Sequence, residues 1–547
     1  MYIGIDVGGT HTDAVLLDSD FRVHSTAKAL TESDFILSLE KVLTKILQDL
    51  PKRGLVKRIT ISTTLGLNSV LTGSADKVGV LVTLGPGLPF DPSVLGVPTR
   101  VLSATQDHRG LILTPFNLQE AKQAAEELVE QGAQALVVAS KFGPKNPALE
   151  SEIVGAIQGI PSGPVLGASS VFGSLNFPRR LGSAILNAAV WRLYGKFLRD
   201  LEFTIKGQGL SAKINILKSD GGIMGFEEAN RVPVNALAAG PAASLLGMWS
   251  LYNDSGDEDL LMVDMGGTST DLSILSRGAP LMTSRGMRVA GRDTLVRGLL
   301  TSSLALGGDT DLSWDGDKFI PEAKRRGLAL ALDPLNADSR PPTLTDALNV
   351  LGRTQVGDVD ISLKAFAKLG SDPKSIAQKA VEAVFGHLTS ALSEFLERAN
   401  RQPVYTINEF LVDWKLEPKK VVFLGGPAFP MAEFSRDFLG IPAEAPKEAT
   451  YANALGAALA RPTFEAELYA DTVMGTMSIP TLGINKKINP SYNLDSAKKD
   501  LLDALAGQER VQLTLEESFN QVVHYGRTGR TIRVKAQGSP GLISMNS

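Results

Sequence analysis

The stretch 6-DVGGTHTD-13 lies between two apolar runs, and 264-DMGGTSTD-271 lies between two more. The two octets share six of eight positions: the first aspartate, both glycines, both threonines and the last aspartate. The flanking apolar runs have the length of single strands, so each octet is predicted to be the turn of a β-hairpin. Two such hairpins about half a chain length apart predict a duplicated fold.

Each turn has groups that suit a phosphate. Paired glycines let backbone N–H groups approach a ligand closely, because no Cβ intervenes. Asp6 and Asp264 end their strands, where carboxylates suit a hydrated Mg²⁺. Threonine hydroxyls of the two turns would add donors: Thr10, Thr12, Thr268 and Thr270. One such turn could be an ordinary glycine hairpin, but two copies at equivalent points favour facing hairpins that hold one polyphosphate from both sides.

Composition narrows the class of protein. With 547 residues, 43% of them hydrophobic, the chain is expected to form about two to four globular domains. The net charge of -4 gives no cationic field for nucleic acid. The absence of cysteine excludes disulfides, iron–sulfur clusters and cysteine nucleophiles. No apolar run reaches the ~18 residues of a membrane helix and no signal segment opens the chain, so we expect a soluble, cytoplasmic protein without a membrane partner.

Strand-like and helix-like stretches alternate along the chain, which is typical of α/β domains. The pattern restarts near residue 172, which predicts an N-terminal lobe over 1–172 and a second lobe over 173–462. The remainder, 463–547, is predicted to be a C-terminal appendix or a truncated third domain. Residues from about 300 to 375 are rich in loop formers and are interpreted as an insertion. Helix caps are expected at Asn117, Thr345 and Asp372.

A third glycine turn, 423-FLGGPA-428, follows a strand and precedes a helix, which suits a base or ribose lying on glycine backbone. Together the three turns resemble the phosphate-1, phosphate-2 and adenosine motifs of the actin/Hsp70/sugar-kinase ATPase superfamily. Within it, the chain is most similar to the hydantoinase A/oxoprolinase (N-methylhydantoinase A) family. Nine stretches match in family order over residues 1–462: IGIDVGGTHTDAVLLD, ISTTLGLNSVLTG, SDGGIM, VNALAAGPAASLLG, VDMGGTSTDLSIL, LALGGDTDL, PPTLTDALNVLGR, FLGGPA and ATYANALGAALARP.

The resemblance implies an α/β, two-lobed actin-like (ribonuclease H-like) ATPase fold with duplicated α/β units and a small C-terminal appendix. ATP and Mg²⁺ would lie in the cleft between the lobes. Carried over residue by residue, it assigns these nucleotide-binding residues: Asp6, Gly8, Gly9, Thr10 and Thr12 in the first hairpin, Asp264, Gly266, Gly267, Thr268 and Thr270 in the second, Gly307, Gly308 and Asp309 lining the cleft, and Gly425 and Gly426 beside the adenosine. Asp6 and Asp264 would also hold the metal ion.

Members of the family use ATP to activate a lactam, hydantoin or ketone oxygen, so that hydrolysis or carboxylation can follow. The resemblance therefore implies an ATP-dependent cyclic-amide hydrolase, or a subunit that works with a hydantoinase B-type partner. Asp13 or Asp271 would orient the nucleophile or act as base, and either could instead simply hold its own turn. The alternative is a non-catalytic or regulatory nucleotide-binding subunit of a multi-subunit hydrolase or carboxylase.

Two further polar stretches are open to two interpretations each. The stretch 62-STTLGLN-68 either lines the cleft with polar side chains or caps a helix through Thr63 or Thr64. Asp220, in 218-KSDGGIM-224, either faces a substrate or closes its own turn. The sequence does not decide between these interpretations.

Overall fold

Both octets form the turns of antiparallel hairpins in the computed structural model of the chain, as predicted. The structure describes residues 1–32, 35–48, 50, 53–252, 256, 258–401, 415–508, 510–523 and 527–543. Within these ranges, no helix is both long and apolar enough to cross a lipid bilayer.

The first hairpin belongs to a mixed sheet that continues well beyond it. The elements up to residue 231 are β1 Tyr2–Val7, β2 His11–Leu17, β3 Val23–Leu30, α1 Phe35–Ile46, β4 Arg58–Thr63, α2 Leu65–Leu71, β5 Val78–Thr83, β6 Thr99–Leu102, β7 Thr105–Gln106, β8 Ile112–Thr114, α3 Leu118–Glu130, β9 Ala135–Ser140, α4 Ala148–Ile157, β10 Val165–Gly167, α5 Ala168–Val171, α6 Phe177–Gly207, β11 Lys213–Leu217, β12 Ile223–Gly225 and α7 Phe226–Arg231. The strand order is β12-β11-β4-β1-β2-β3, and a second, parallel sheet has the order β10-β9-β5-β6. Because β1, β4 and β11 are parallel, they end at one edge of the first sheet, from which the hairpin turn projects.

The second half of the chain repeats this sheet around the second hairpin. Its elements are α8 Ala239–Tyr252, β13 Asp259–Met265, β14 Thr270–Ser276, β15 Ala279–Pro280, β16 Arg288–Val289, β17 Arg292–Asp293, β18 Thr301–Leu304, β19 Leu312–Trp314, β20 Phe319–Pro321, α9 Leu344–Val350, α10 Val359–Ala367, α11 Pro373–Asn400, β21 Pro418–Gly425, α12 Ala428–Ser435, β22 Ala443–Glu444 and α13 Ala452–Leu459. β13 pairs antiparallel with β14 and parallel with β21, as β1 pairs with β2 and β4. The order β14-β13-β21-β22 therefore repeats β2-β1-β4-β11, which confirms the duplication.

The C-terminal part forms an antiparallel sheet with a core of its own. Its elements are β23 Glu465–Asp471, β24 Thr476–Ile479, β25 Ile484–Lys487, α14 Leu494–Ala504, β26 Val511–Val523 and β27 Arg527–Gly538. The strand order is β25-β24-β23-β27-β26, and Leu501 of α14 packs against Leu468 and Val534. Asp471 accepts two hydrogen bonds from Arg109, at 2.8 and 2.9 Å, which ties this sheet to the first lobe.

Helices α8 and α13 lie against each other between the two duplicated sheets. They approach so closely because glycine occupies the crossing: a Cβ on Gly456 would overlap the carbonyl oxygen of Ala243 and would lie 2.5 Å from the amide nitrogen of Gly247. In the same way, a Cβ on Gly4 of β1 would overlap the carbonyl oxygen of Ala454. The helix pair thus couples the two lobes.

Of the three helix-capping residues predicted above, Asn117 and Asp372 are confirmed, and Thr345 is wrong. The side chain of Asn117 accepts hydrogen bonds at the start of α3, and that of Asp372 does so at the start of α11. Helix α9 is capped by Thr343 rather than Thr345, because Thr343 and Asp346 form a reciprocal capping box. The Thr345 hydroxyl instead donates to the carbonyl oxygen of Gly308 at 2.8 Å.

Candidate functional site

The tips of the two hairpins lie against each other. In each tip the first glycine closes the turn: the Gly8 N–H donates to the His11 carbonyl at 3.0 Å, and the Gly266 N–H donates to the Ser269 carbonyl at 2.9 Å. A Cβ on Gly267 would lie 2.6 Å from Oγ1 of Thr10 and 2.6 Å from Oδ2 of Asp309, so a larger residue where the tips meet would displace both side chains. The contact pairs residues from the two halves of the duplicated fold.

Asp6 and Asp264, at the ends of β1 and β13, are buried and share one hydrogen-bond donor. Nδ2 of Asn453, in α13, lies 3.3 Å from Oδ2 of Asp6 and 3.1 Å from Oδ2 of Asp264. The Ser244 hydroxyl, in α8, also donates to Oδ2 of Asp264 at 2.5 Å. Oδ1 of Asp6 is buried and has no hydrogen-bond partner among the described residues. The two carboxylates are therefore held side by side, and one oxygen remains available.

The electrostatics of this carboxylate pair favour a cation. Burial is the main cause that raises the pKa of Asp6 to about 7; the charges of Asp13 and Asp264 add to the rise, and Ser62 and Asn453 oppose it. Burial also raises the pKa of Asp264. A cation beside both groups would offset the cost of keeping two carboxylates ionised in a buried position.

Asp13 and Asp271 occupy identical places in their hairpins, directly opposite Asp6 and Asp264. The third strand of each sheet makes them differ. In β3 the residue opposite Asp13 is Lys28, whose Nζ lies 3.0 Å from Oδ1 of Asp13. In β18 the residue opposite Asp271 is Ser303, and Oδ1 of Asp271 is buried without a hydrogen-bond partner in the described part of the chain.

The pKa values follow these environments. Burial raises the pKa of Asp13, but Lys28 opposes the rise. Burial raises the pKa of Asp271 to about 7, with a further contribution from the charges of Asp264 and Asp6. The raised pKa of Asp271 thus reflects its buried position, whereas Asp13 is engaged in an ion pair.

The four threonines of the octets also separate into two kinds. Thr12 and Thr270 are fully buried, and their hydroxyls are occupied: Thr12 Oγ1 lies 3.1 Å from Oγ1 of Thr31, and Thr270 Oγ1 donates to the Leu306 carbonyl at 2.5 Å. Thr10 and Thr268 lie at the tips, where the hairpins face each other. The position in the hairpin explains the division, because Thr12 and Thr270 belong to β2 and β14, whereas Thr10 and Thr268 precede these strands and lie in the turns.

The loop Gly307–Asp309 is bound to the second hairpin through its backbone. The Gly308 N–H donates to the Gly266 carbonyl at 2.9 Å, and the Asp309 N–H donates to the Gly267 carbonyl at 2.8 Å. A Cβ on Gly307 would lie 2.5 Å from the Gly267 oxygen, so only glycine permits this approach. The loop predicted to line the cleft therefore adjoins the second tip.

Arg325 joins this loop to the first hairpin. Its Nη2 lies 2.8 Å from Oδ2 of Asp309, and its Nη1 lies 3.4 Å from Oγ1 of Thr10. Arg325 belongs to the stretch interpreted from sequence as an insertion, where no motif distinguished it from its neighbours. The structure therefore adds a guanidinium group at the junction of the two tips.

The third glycine turn ends β21, which runs beside β13. Gly425 has φ +90°, and a Cβ there would overlap the Met265 carbonyl oxygen and would lie 2.9 Å from Oδ1 of Asp264. A Cβ on Gly426 would meet no atom within 4 Å. Gly425 thus permits the close packing of two strand ends, whereas Gly426 borders open space.

The donor set fits a hydrated metal bound together with phosphate. Among the described residues, no group of three or more histidine, aspartate or glutamate side chains is placed to hold a metal ion on its own. Mg²⁺ keeps several waters and commonly takes one or two carboxylates together with phosphate oxygens. Asp6 and Asp264, with the unpartnered Oδ1 of Asp6, meet that requirement.

The two polar stretches with open interpretations serve first as local structure. Thr64 occupies the N-cap position of α2 without a side-chain capping hydrogen bond, and Oγ1 of Thr63 accepts a hydrogen bond from the Leu65 N–H at 3.1 Å. Asp220 closes its turn by accepting from the Gly222 N–H at 2.9 Å and from the Thr463 hydroxyl. Burial works against ionisation of Asp220, but Lys218 and Arg297 hold its pKa below the usual value.

Two family models match this chain: "Hydantoinase/oxoprolinase N-terminal region" over residues 2–160 and "Hydantoinase/oxoprolinase" over residues 180–466. An uncharacterized protein of Methanocaldococcus jannaschii is 23% identical over 482 residues, which is 78% of this chain and 68% of that protein. The caprolactamase subunit alpha of Pseudomonas jessenii is 24% identical over 434 residues, which is 73% of this chain and 60% of that subunit.

Two solved structures share the fold. The nucleotide-free structure of acetone carboxylase matches with a TM-score of 0.72 and 16% identity over 99% of this chain and 87% of that chain. The ATP-dependent caprolactamase of Pseudomonas jessenii matches with a TM-score of 0.65 and 17% identity over 100% of this chain and 88% of that chain. Together with the duplicated sheets, these matches confirm the predicted α/β, actin-like ATPase fold.

Proposed function

We propose that this chain, which belongs to the hydantoinase/oxoprolinase family, binds ATP with Mg²⁺ between its two hairpins and phosphorylates the carbonyl oxygen of an amide or lactam. One observation carries the proposal. Asn453 holds two buried carboxylates from the duplicated strands side by side, and Oδ1 of Asp6 remains without a partner among the described residues. This arrangement suits a divalent cation that bridges both lobes.

The residues around the carboxylates fit the needs of phosphoryl transfer. That reaction depends mainly on positioning and on stabilising the charge of the transferring group. Bound Mg²⁺ would neutralise charge on the phosphate oxygens. The backbone N–H groups of the glycine turns, the hydroxyls of Thr10 and Thr268, and the guanidinium of Arg325 would position the polyphosphate.

We assign different roles to the paired aspartates and threonines. Asp271 has a buried, unpartnered oxygen and a pKa near 7, so it would orient the nucleophile or accept a proton. Asp13 would hold its hairpin through Lys28. Thr12 and Thr270 would fix the loops behind the tips instead of touching phosphate, because their hydroxyls already have partners.

The caprolactamase relationship supports the proposed substrate class and the proposed partner. In sequence, the chain is 24% identical to the caprolactamase subunit alpha and 23% identical to the acetophenone carboxylase gamma subunit of Aromatoleum aromaticum, so both types of activation have a relative. We favour amide activation ahead of ring opening, and a panel of substrates separates it from ketone carboxylation. Because the caprolactamase relative is named as a subunit, we propose that a second, hydantoinase B-type subunit completes the hydrolysis.

The test is a measurement of ADP release by the full chain across a panel of lactams, hydantoins and small ketones, with and without any protein that co-purifies. We expect lactams to stimulate ADP release above the basal rate. Tight ATP binding without stimulation by any compound would support a regulatory nucleotide-binding subunit instead. Stimulation by ketones alone would favour the carboxylase type of activation.

Arg325 supplies a second prediction for this site. Replacing it with alanine removes the charged contact to Asp309 and the link to Thr10, so we expect kcat/KM for ATP to fall at least about tenfold. The control is Arg326→Ala, because Arg326 pairs with Glu322 and Asp311 and has no contact with a hairpin tip among the described residues. Equal losses in both variants, accompanied by equal drops in melting temperature, would assign Arg325 a purely structural role.

A further inference from the structure

A cavity opens where the first lobe, the second lobe and the C-terminal sheet meet. Its empty space, counted together with the open solvent at its mouth, is about 670 Å³. Residues from all three parts line it, among them the apolar residues Phe172, Val232, Leu295 and Phe464. These four give the cavity an apolar wall that suits a small hydrocarbon ring.

Polar side chains with unused hydrogen-bonding capacity form the rest of the lining. Glu228 and Asn235 are half-buried, and neither side chain forms a hydrogen bond to any described residue. Oγ1 of Thr481 is buried and likewise lacks a partner in the described ranges. Lys218 is 5% exposed, and its ammonium group, which has three donors, makes one hydrogen bond, to the Thr463 carbonyl at 2.6 Å. Since buried polar groups normally have partners, the unpartnered Oγ1 of Thr481 beside the side chains of Glu228 and Asn235 suits a polar ligand.

Other charged groups of the lining are already engaged. Arg231 donates to the carbonyl oxygens of Ser170 and Thr481, and Arg297 donates to those of Phe464 and Gly538. Glu467 pairs with Arg533, Glu465 pairs with Lys535, and Asp220 lies near the charges of Lys218 and Arg297. Lys218 keeps hydrogen-bond donors beyond the one it gives to Thr463, and Glu228 has no ion pair among the described residues. The cavity therefore favours a small molecule that both donates and accepts hydrogen bonds, such as an amide.

The cavity lies at the same edge of the first sheet as the phosphate hairpin. Strands β1, β4 and β11 are parallel, so their ends share that edge. The hairpin turn follows β1, and Lys218 directly follows β11. Two strand spacings separate these ends, which is roughly 10 Å. Lys218, in the lining of the cavity, therefore lies at the sheet edge that carries the phosphate hairpin.

We infer that this cavity is the binding site for the small cyclic amide. Glu228 and Asn235 accept from its N–H, and its ring lies against the apolar wall. The ring-opened product would carry one carboxylate and one ammonium group, which complement Lys218 and Glu228. The inference rests on the proposed function for the identity of the ligand.

The test uses the five-membered lactam 2-pyrrolidinone as probe and cyclopentanone, which lacks the N–H, as its comparison. Binding to the full chain is measured by ligand-observed NMR without ATP. We expect the wild type to bind the lactam more tightly than the ketone. Glu228→Ala is expected to weaken lactam binding about tenfold and to abolish that preference. The matched control is Glu227→Ala, one position away on α7 and exposed, which should bind both probes like the wild type.

A second variant, Asn235→Ala, is expected to weaken lactam binding without lowering the melting temperature, because its side chain has no partner to lose among the described residues. Absence of lactam binding by the wild type, or equal binding by the two glutamate variants, would overturn the inference. The binding measurement needs no ATP and is therefore independent of the turnover measurement. If either of these binding results occurred while lactams still stimulated ATP turnover, only the assignment of the cavity would be refuted. Lactam binding without any stimulated turnover would instead remove the proposed reaction.

Discussion

Asp264→Asn is expected to lower ATP turnover by at least about a hundredfold. Asp264 is one of two buried carboxylates that share the amide of Asn453, and its charge would hold the cation between the lobes. The asparagine keeps the size of the side chain and one oxygen that can accept from Ser244 and Asn453, so the fold should persist. The measurement is ADP release as a function of Mg²⁺ concentration, in which the half-saturating concentration should also rise.

The matched control for this prediction is Asp20→Asn. Asp20 is exposed and follows the first hairpin. Its replacement by asparagine removes the same charge from the chain as Asp264→Asn does. It should leave ATP turnover and its Mg²⁺ dependence unchanged. Wild-type turnover in Asp264→Asn, with an unchanged Mg²⁺ dependence, would contradict the assignment of the carboxylate pair to the metal. A melting temperature for each variant separates loss of chemistry from loss of fold.

The two hairpins could be predicted because their signal is local. Strand, paired glycines and strand follow one another within 16 residues, and the repetition of the octet indicated that the tips would face each other. Asn453 could not be found in this way, because it lies 447 positions from Asp6. Its helix consists mainly of small residues that are typical of close packing. Asn453 is the polar residue in that apolar helix, and this exception is the sequence feature that could have indicated a functional role.

The difference between Asp13 and Asp271 was beyond the sequence for another reason. Their octets are nearly identical, so the local pattern gives both aspartates the same role. The partner strand decides: its register places Lys28 opposite Asp13 and Ser303 opposite Asp271. Register in a third strand depends on long-range pairing that no short motif encodes.

Arg325 could not be predicted from a short motif either. It forms a hydrogen bond with Thr10, 315 positions away, and it lies in a loop-rich stretch without periodicity. The correct helix cap at Thr343 was missed for a simpler reason, since three threonine and aspartate residues stand within four positions there. In such a cluster, local capping rules predict reliably that a helix begins. They are less reliable in predicting which residue is the cap.

The crossing of α8 and α13 leads to the second large prediction, Gly456→Ala. A methyl group at this position would overlap the Ala243 carbonyl oxygen and press on the Gly247 amide nitrogen, which are backbone atoms that cannot rotate away. We expect the free energy of unfolding of the two-lobed part to fall by about 3 kcal/mol or more, despite the better helix propensity of alanine. The measurement is urea denaturation followed by circular dichroism.

Gly386→Ala provides the matched control, because Gly386 lies within α11 and a Cβ there would meet no atom within 4 Å. That variant should be unchanged or more stable by up to about 1 kcal/mol. The crossing also bears on chemistry: Ser244 on α8 and Asn453 on α13 both donate to Asp264, so helices forced apart cannot both hold it. Gly456→Ala should therefore lose ATP turnover even where it remains folded. Wild-type stability together with wild-type turnover would show that the crossing is looser than the structure indicates.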